Sequence, residues 1–286
     1  MDTVVEIQVD TEQSSEETGA AFERAFAAFH KVERACSRFD PDSELRKACR
    51  QIQIPVPVSP YLFEPLKFAM EMAEGTGGAF DPAVGKAMEE NGFNRRYLTG
   101  ELVESPSAAS ANYRDIVLDE RNRTLTLLKP LVIDLGAVAK GFAIDLAANE
   151  LKQFERFAVN AGGDLFAGGA DERANAWSIG IQHPEQKDRV IHMIRVSNEA
   201  ICTSGSYERK SAVKNGTHHI IDPKTKASPV DWISCSVVAP FAMLADAFST
   251  TAFLLGADDG VAFIEQADLK GILITPDLQI VTVGGS

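Results

Sequence analysis

Asp246 is the lone carboxylate of the apolar run 237–255, and Thr250 follows it one helical turn later. Positions four apart share a helix face, so a carboxylate and a hydroxyl can aim at one point. Leaving a buried carboxylate unpaired costs roughly several kcal/mol, so a cation or hydrogen-bond donors must meet this one. Two hard oxygens converging in a buried place suit Mg²⁺, which takes few protein ligands and shares phosphate oxygens. The alternative is a core helix whose Asp caps a neighbouring segment or pairs with an arginine. Pro240, Asp246 and the Ser249-Thr250-Thr251 cluster weigh against a transmembrane span.

Four turns rich in glycine and acid, and one histidine, offer further chemistry. Gly77-Gly-Ala-Phe-Asp-Pro-Ala-Val-Gly85 sets Asp81 before a proline in what reads as a tight, exposed turn. Ile133-Asp-Leu-Gly-Ala-Val-Ala-Lys-Gly141 runs from a strand into a helix, where backbone amides can face a phosphate with Lys140 as a local cation. Its spacing is not that of a Walker loop. Val159-Asn-Ala-Gly-Gly-Asp-Leu165 and Thr203-Ser-Gly-Ser-Tyr-Glu208 are the other two turns. His218-His-Ile-Ile-Asp-Pro223 places His219 and Asp222 three apart, an imidazole beside a carboxylate. Taken singly, each has a plain structural reading: glycine turns commonly precede helices, and strand histidines are commonly structural.

The elements that must position these groups read as a mixture without βαβ alternation. A strand at 4–9 precedes a helix opened by Ser14 and Glu17 as a capping box. A second helix starts at Ser59-Pro60 and ends at Gly75. Residues 116–127 predict a β-hairpin, 131–135 a short buried strand and 137–154 a helix. Strands are expected near 157–160, 177–182, 190–196, 218–221 and 233–239. The Asp246 helix, a helix near 258–266 and a closing hairpin at 272–283 complete the chain. The expectation is an α+β fold with largely antiparallel sheets, taken as a single domain over 1–286.

The formal charge of −13 over 286 residues argues against nucleic acid or an anionic membrane as the main partner. A polyanionic ligand must then be met locally, by a metal or by backbone amides. Cys36, Cys49, Cys202 and Cys235 are scattered and form no CxxC pair, which suits reduced structural thiols. With no basic-then-apolar leader before the first strand, the expected location is cytoplasmic, or periplasmic for a processed form.

In this order the segments resemble the ApbE-like flavin transferases, the FAD:protein FMN transferases. The resemblance runs through Ser37-Arg-Phe-Asp-Pro-Asp-Ser-Glu-Leu45, Ala79-Phe-Asp-Pro-Ala-Val-Gly85 and Asp134-Leu-Gly-Ala-Val-Ala-Lys-Gly-Phe-Ala-Ile-Asp145. It continues through the 159–164 and 203–208 turns, His219-Ile-Ile-Asp-Pro223 and the 238–250 run. It implies an ApbE-like fold, FAD as substrate and Mg²⁺ as cofactor. The implied reaction moves FMN from FAD to a threonine hydroxyl of an acceptor protein and releases AMP. By the same resemblance the metal ligands are Asp246, Thr250 and the Ala137 carbonyl. The FAD pocket takes Met1, Phe39, Ala79, Phe80, Asp81, Asp134, Lys140 and Ile221. His219 receives the acceptor proton, oriented by Asp222. Three positions depart from the pattern: Phe39 replaces Tyr, Ser206 replaces an acid and Lys226 replaces glycine. An FAD pyrophosphatase and a non-catalytic FAD-binding protein are the alternatives.

Overall fold

Strand β1 (Val5–Asp10) alternates half-buried and exposed residues, as one-sided burial requires. Helix α1 (Ser15–Cys36) opens where the sequence predicts, with the Ser14 hydroxyl accepting from the Glu17 amide at 3.4 Å and donating to the Glu17 carboxylate at 2.8 Å. The computed structural model describes residues 3–12, 14–96, 99–169 and 176–284. Two compact units make up the chain. One comprises Lys31–Ala139 and Glu208–Pro229; the other comprises Thr3–His30, Lys140–Tyr207 and Val230–Ser286.

In the first unit a short helix α2 (Glu44–Cys49) precedes β2 (Val56–Pro57) and the long α3 (Pro60–Gly75). Ser59 precedes the Pro60 start, yet its hydroxyl serves Glu44 Oε2 at 2.6 Å and not the α3 amides. Helix α4 (Gly85–Glu90) and the predicted hairpin, β3 (Ile116–Asp119) with β4 (Thr124–Leu127), complete the regular elements, in a sheet ordered β2-β4-β3. The segment 131–135 is buried as expected but is not a strand. Its backbone groups go elsewhere: Gly85 N donates to Val132 O at 3.1 Å and Asp134 N to Pro82 O at 2.8 Å. The Asp81 turn therefore takes the place of a neighbouring strand, and Asp81 is buried, not exposed. Nor is 218–221 a strand; His218 makes one isolated antiparallel bridge, to Lys210.

The second unit is built on a seven-stranded antiparallel sheet ordered β1-β5-β6-β9-β10-β11-β12. Helix α5 (Ala139–Glu150) leads to β5 (Arg156–Ala161) and β6 (Asp164–Gly168). Gly162 and Gly163 between them have φ of +65° and +97°, the left-handed pair that a two-residue hairpin turn demands. The hairpin β7 (Trp177–His183) and β8 (Gln186–Val196) is followed by β9 (Glu199–Gly205). Strand β10 (Ser234–Ala239) is buried at every residue, helix α6 (Ala242–Leu255) follows it, and α7 (Ala257–Gln266), β11 (Lys270–Ile274) and β12 (Ile280–Val283) close the chain. One face of the sheet joins Leu165, Ile201, Val238 and Ile272 to residues of the β7–β8 hairpin in an apolar cluster. Alternation along β9 sends Cys202 and Ser204 to the opposite face, where they meet α6 through Ala242 O and Thr250. Strands β6 and β9 are absent from the pattern-based expectation because the glycine turns at 162–163 and 205 mask them.

Candidate functional site

Asp246 is 5% exposed, in the second turn of α6. Its Oδ2 accepts from Gly141 N at 3.2 Å and lies 3.5 Å from Lys140 Nζ. Lys140 also forms an ion pair with Asp164, whose Oδ1 accepts from Thr203 N at 2.7 Å. Thus two buried carboxylates share one ammonium. Burial pushes Asp246 up from the usual carboxylate range, while Lys140 and the Gly141 amide oppose the shift. Thr250 joins through hydroxyls: its Oγ1 lies 2.9 Å from Ser204 Oγ, which is 3.0 Å from Ser249 Oγ. The partner of Asp246 is therefore a lysine on α5, not an arginine.

The rotation of α6 is set by α5. Phe241, the residue before α6, offers no side-chain cap; Asp145 supplies one across the helix pair, its two oxygens accepting from Ala242 N at 2.6 Å and Met243 N at 2.9 Å. Gly141, one turn earlier on the same face of α5, lets the helices touch: a Cβ there would lie 2.6 Å from Met243 Cα and collide with the Ala242 carbonyl. Burial, more than its two amide bonds can offset, raises the Asp145 carboxyl to about 6, and the charge of Asp246 adds to this. Sequence reasoning assigned no role to Asp145, Asp164 or Ser204. A signal existed for the first two, since both end quoted motifs, but the spacing of an acid on one helix does not reveal that it caps another.

In the other unit, Asp134 Oδ2 is ion-paired with Arg38, itself 5% exposed, while Asp134 Oδ1 accepts from Gly136 N at 2.8 Å. Arg38 also donates to Phe93 O at 2.5 Å and lies 4.0 Å over the Phe39 ring. Arg38 is thus a fourth residue to which sequence reasoning assigned no role. Asp81 caps its own turn through Ala83 N at 2.7 Å and holds Tyr113 N at 3.2 Å, with Phe80 buried and Ala79 half-buried beside it. Ile221 is buried, and Ala137 lies in the turn ahead of α5, outside its hydrogen-bonded ladder. Met1 lies outside the described residues.

His219 is half-buried, packs edge-on to Phe93, and leaves Nδ1 enclosed without a hydrogen-bond partner. Burial, then the charges of Arg209 and His218, lower its pKa to about 4, so the imidazole is neutral at physiological pH. Asp222 does not orient that ring at Nδ1. Its carboxylate accepts from Lys224 N at 2.7 Å and Thr225 Oγ1 at 2.9 Å, closing the turn that follows.

A model of the ApbE family matches residues 1–273. The chain belongs to the ApbE family. It is 30% identical to the FAD:protein FMN transferase of Treponema pallidum, over 97% of this chain and 83% of that one. It is likewise 30% identical to the FAD:protein FMN transferase of Haemophilus influenzae, over 87% and 76%. The crystal structure of the ApbE protein of Thermotoga maritima superposes with a TM-score of 0.85 at 29% identity, covering 98% and 94%. The ApbE-like α+β fold expected from the sequence is thereby borne out. Two of the departures acquire a physical reading. Lys226 has φ of +57°, the left-handed conformation that makes glycine the usual occupant. Ser206 is tied to Ile233 O through both its amide, at 3.0 Å, and its hydroxyl, at 3.3 Å.

Among the described residues no three His, Cys, Asp or Glu side chains form a metal-holding group. The oxygen donors around Asp246, carboxylates and the hydroxyls of Ser204, Ser249 and Thr250, nevertheless fit the hard-oxygen preference of Mg²⁺.

Proposed function

We propose that the protein transfers FMN from FAD to a threonine hydroxyl of an acceptor protein, with release of AMP and with Mg²⁺ as cofactor. The observation that supports this reading is the Asp246 cluster, where two buried carboxylates share one lysine beside a set of hydroxyls. Asp246, Thr250 and the Ala137 carbonyl would hold the ion, which when bound supplies charge neutralisation to a diphosphate under attack. The family of the chain and the names of its relatives support FAD as donor and a protein as acceptor.

The threonine oxygen attacks the phosphorus of the FMN half, the bond from that phosphorus to the bridging oxygen breaks, and AMP leaves with the oxygen. His219 would accept the hydroxyl proton; its neutral state supplies a free lone pair at physiological pH. Asp222 would act on the chain that carries His219, through the 222–227 turn. Phe39, Ala79, Phe80, Asp81, Ile221 and Met1 would contact FAD. Asp134, held by Arg38, and Lys140, held by two carboxylates, would present fixed charges to it. The scattered, unpaired cysteines support a cytoplasmic location.

The test is incubation of the protein with FAD, Mg²⁺ and a threonine-bearing acceptor, followed by intact-mass measurement and AMP quantification. Equal amounts of FMN adduct and AMP are expected. AMP and free FMN without adduct would turn the reading to FAD hydrolysis, and FAD retention without AMP would turn it to a binding protein.

A further inference from the structure

Lys140, the second residue of α5, holds its ammonium between two carboxylates that belong to different elements. The two holds are unequal. Nζ lies 3.5 Å from Asp246 Oδ2, beyond the roughly 2.7–2.9 Å usual for an ammonium donating to a carboxylate. With Asp164 the ammonium is in direct contact. Asp164 opens β6, directly after the Gly162-Gly163 turn. Its Oδ1 is fixed by Thr203 N at 2.7 Å, which leaves Oδ2 for the lysine. Asp246 Oδ2 has a second donor, the Gly141 amide at 3.2 Å, and among the described residues Asp246 Oδ1 accepts no hydrogen bond. The Lys140 side chain is 25% exposed against 4% and 7% for the two acids, so it is the member of the cluster with room to move.

We infer that Lys140 is a resident stand-in for the metal: its ammonium partners Asp246 until Mg²⁺ arrives, and then withdraws onto Asp164 alone. This rests on the reading of Asp246 as a metal ligand, and deepens it. A buried carboxylate without any cation is costly, so a metal site that must also exist empty needs a temporary partner. An ammonium suits that task, being a single compact charge on a flexible stem. A doubly charged ion in contact with the Asp246 oxygens attracts them more strongly than one charge at 3.5 Å. If Asp246 were its only partner, the displaced ammonium would be stranded among buried groups. Asp164 prevents this. Both carboxylates lie within reach of one Nζ, so the exchange needs lysine torsions and no backbone movement. The positive charge stays in the site in either position, where a diphosphate can meet it. Lys140 and Asp164 are thus positioning residues for the ion: the first lowers its apparent affinity and protects the empty site, and the second receives the first.

Mg²⁺ alone, without FAD, tests this by calorimetric titration and by the thermal midpoint. Lys140→Met should melt below the wild type in the presence of chelator. It should bind Mg²⁺ about tenfold tighter, with a larger rise of the midpoint when the ion is added. Weaker or equal binding in that variant overturns the proposal, because the ammonium then does not compete with the ion. Asp164→Asn keeps an amide oxygen for Thr203 N and removes the second carboxylate, and should bind Mg²⁺ about tenfold more weakly. Direct attraction of the ion by Asp164 would weaken binding as well, so the position of the ammonium decides. A wild-type crystal soaked in Mg²⁺ should show Lys140 Nζ on Asp164 and beyond about 4 Å from Asp246. An ammonium still between the two carboxylates beside the bound ion overturns the proposal, whether or not the methionine variant folds. The two readings fail differently. Mg²⁺ that binds wild type and Asp246→Ala alike counts against the metal ligand itself, and the stand-in falls with it. Binding that is lost in Asp246→Ala but unaltered in Lys140→Met removes the stand-in and leaves the metal ligand in place.

Discussion

Around Asp246 burial works against a carboxylate, and the fold answers with the Lys140 ammonium and the Gly141 amide, which oppose it. Around His219 burial works against an imidazolium, and Arg209 and His218 reinforce it. In one region a lysine stands against a buried acid; in the other an imidazole is held unprotonated. The same desolvation shifts the two groups in opposite directions because they carry opposite charge in their ionised forms. What differs is the neighbour: Lys140 opposes the effect of burial at Asp246, and Arg209 adds to it at His219.

The largest expected effect breaks the first region. Asp246→Ala should lower FMN transfer about 10³-fold, on the order of 4 kcal/mol, and abolish its dependence on Mg²⁺. His219→Ala should cost about 10²- to 10⁴-fold yet keep the Mg²⁺ dependence. A Mg²⁺ titration of both variants that gives the same curve removes the distinction between the regions.

Stability against pH sharpens it. The His219 pKa falls from 6.5 to about 4, so its contribution is present above pH 6.5 and lost as pH drops towards 4. The Asp145 pKa rises from 3.8 to about 6, so its contribution is present below 3.8 and lost as pH climbs towards 6. Each is worth up to about 3 kcal/mol, and in the intact protein they oppose one another between pH 4 and 6. Urea unfolding across that window should show Asp145→Asn gaining stability with rising pH, and His219→Gln losing it. Parallel slopes in the two variants would mean that the burial of these groups has been misread.

Two smaller effects test the scaffolds. Gly141→Ala should destabilise by about 1–3 kcal/mol through the collision with α6, and should weaken transfer more than it weakens FAD binding, because it displaces Asp246. Lys226→Gly should stabilise by roughly 1 kcal/mol by relieving the left-handed backbone, measured as a shift in thermal midpoint. A loss of stability on that change would show that the lysine side chain holds the turn.

The residue types of both regions were legible before any coordinates. Asp246 and Thr250 stood out because an acid in an apolar run demands a partner, and the capping box at Ser14 and the hairpin at 116–127 follow from short-range rules. The Asp81 turn was legible as a turn, but its burial was not, because the segment 131–135 lies over it from fifty residues away in sequence. The strand expected at 131–135 failed for the same reason: its hydrogen-bonding groups found a turn before they found a ladder.

By itself the sequence determined the family, the α+β class and the set of polar groups that need partners, since apolar period, turn chemistry and the cost of a lone buried charge are local properties. Only the tertiary structure decided which partners they take. Lys140 and not an arginine meets Asp246, Arg38 takes Asp134, and Asp145 caps a helix on which it does not lie. Those choices depend on which faces of separate elements are pressed together, and Coulomb and hydrogen-bond energies act through a few ångströms of space, whatever the distance along the chain.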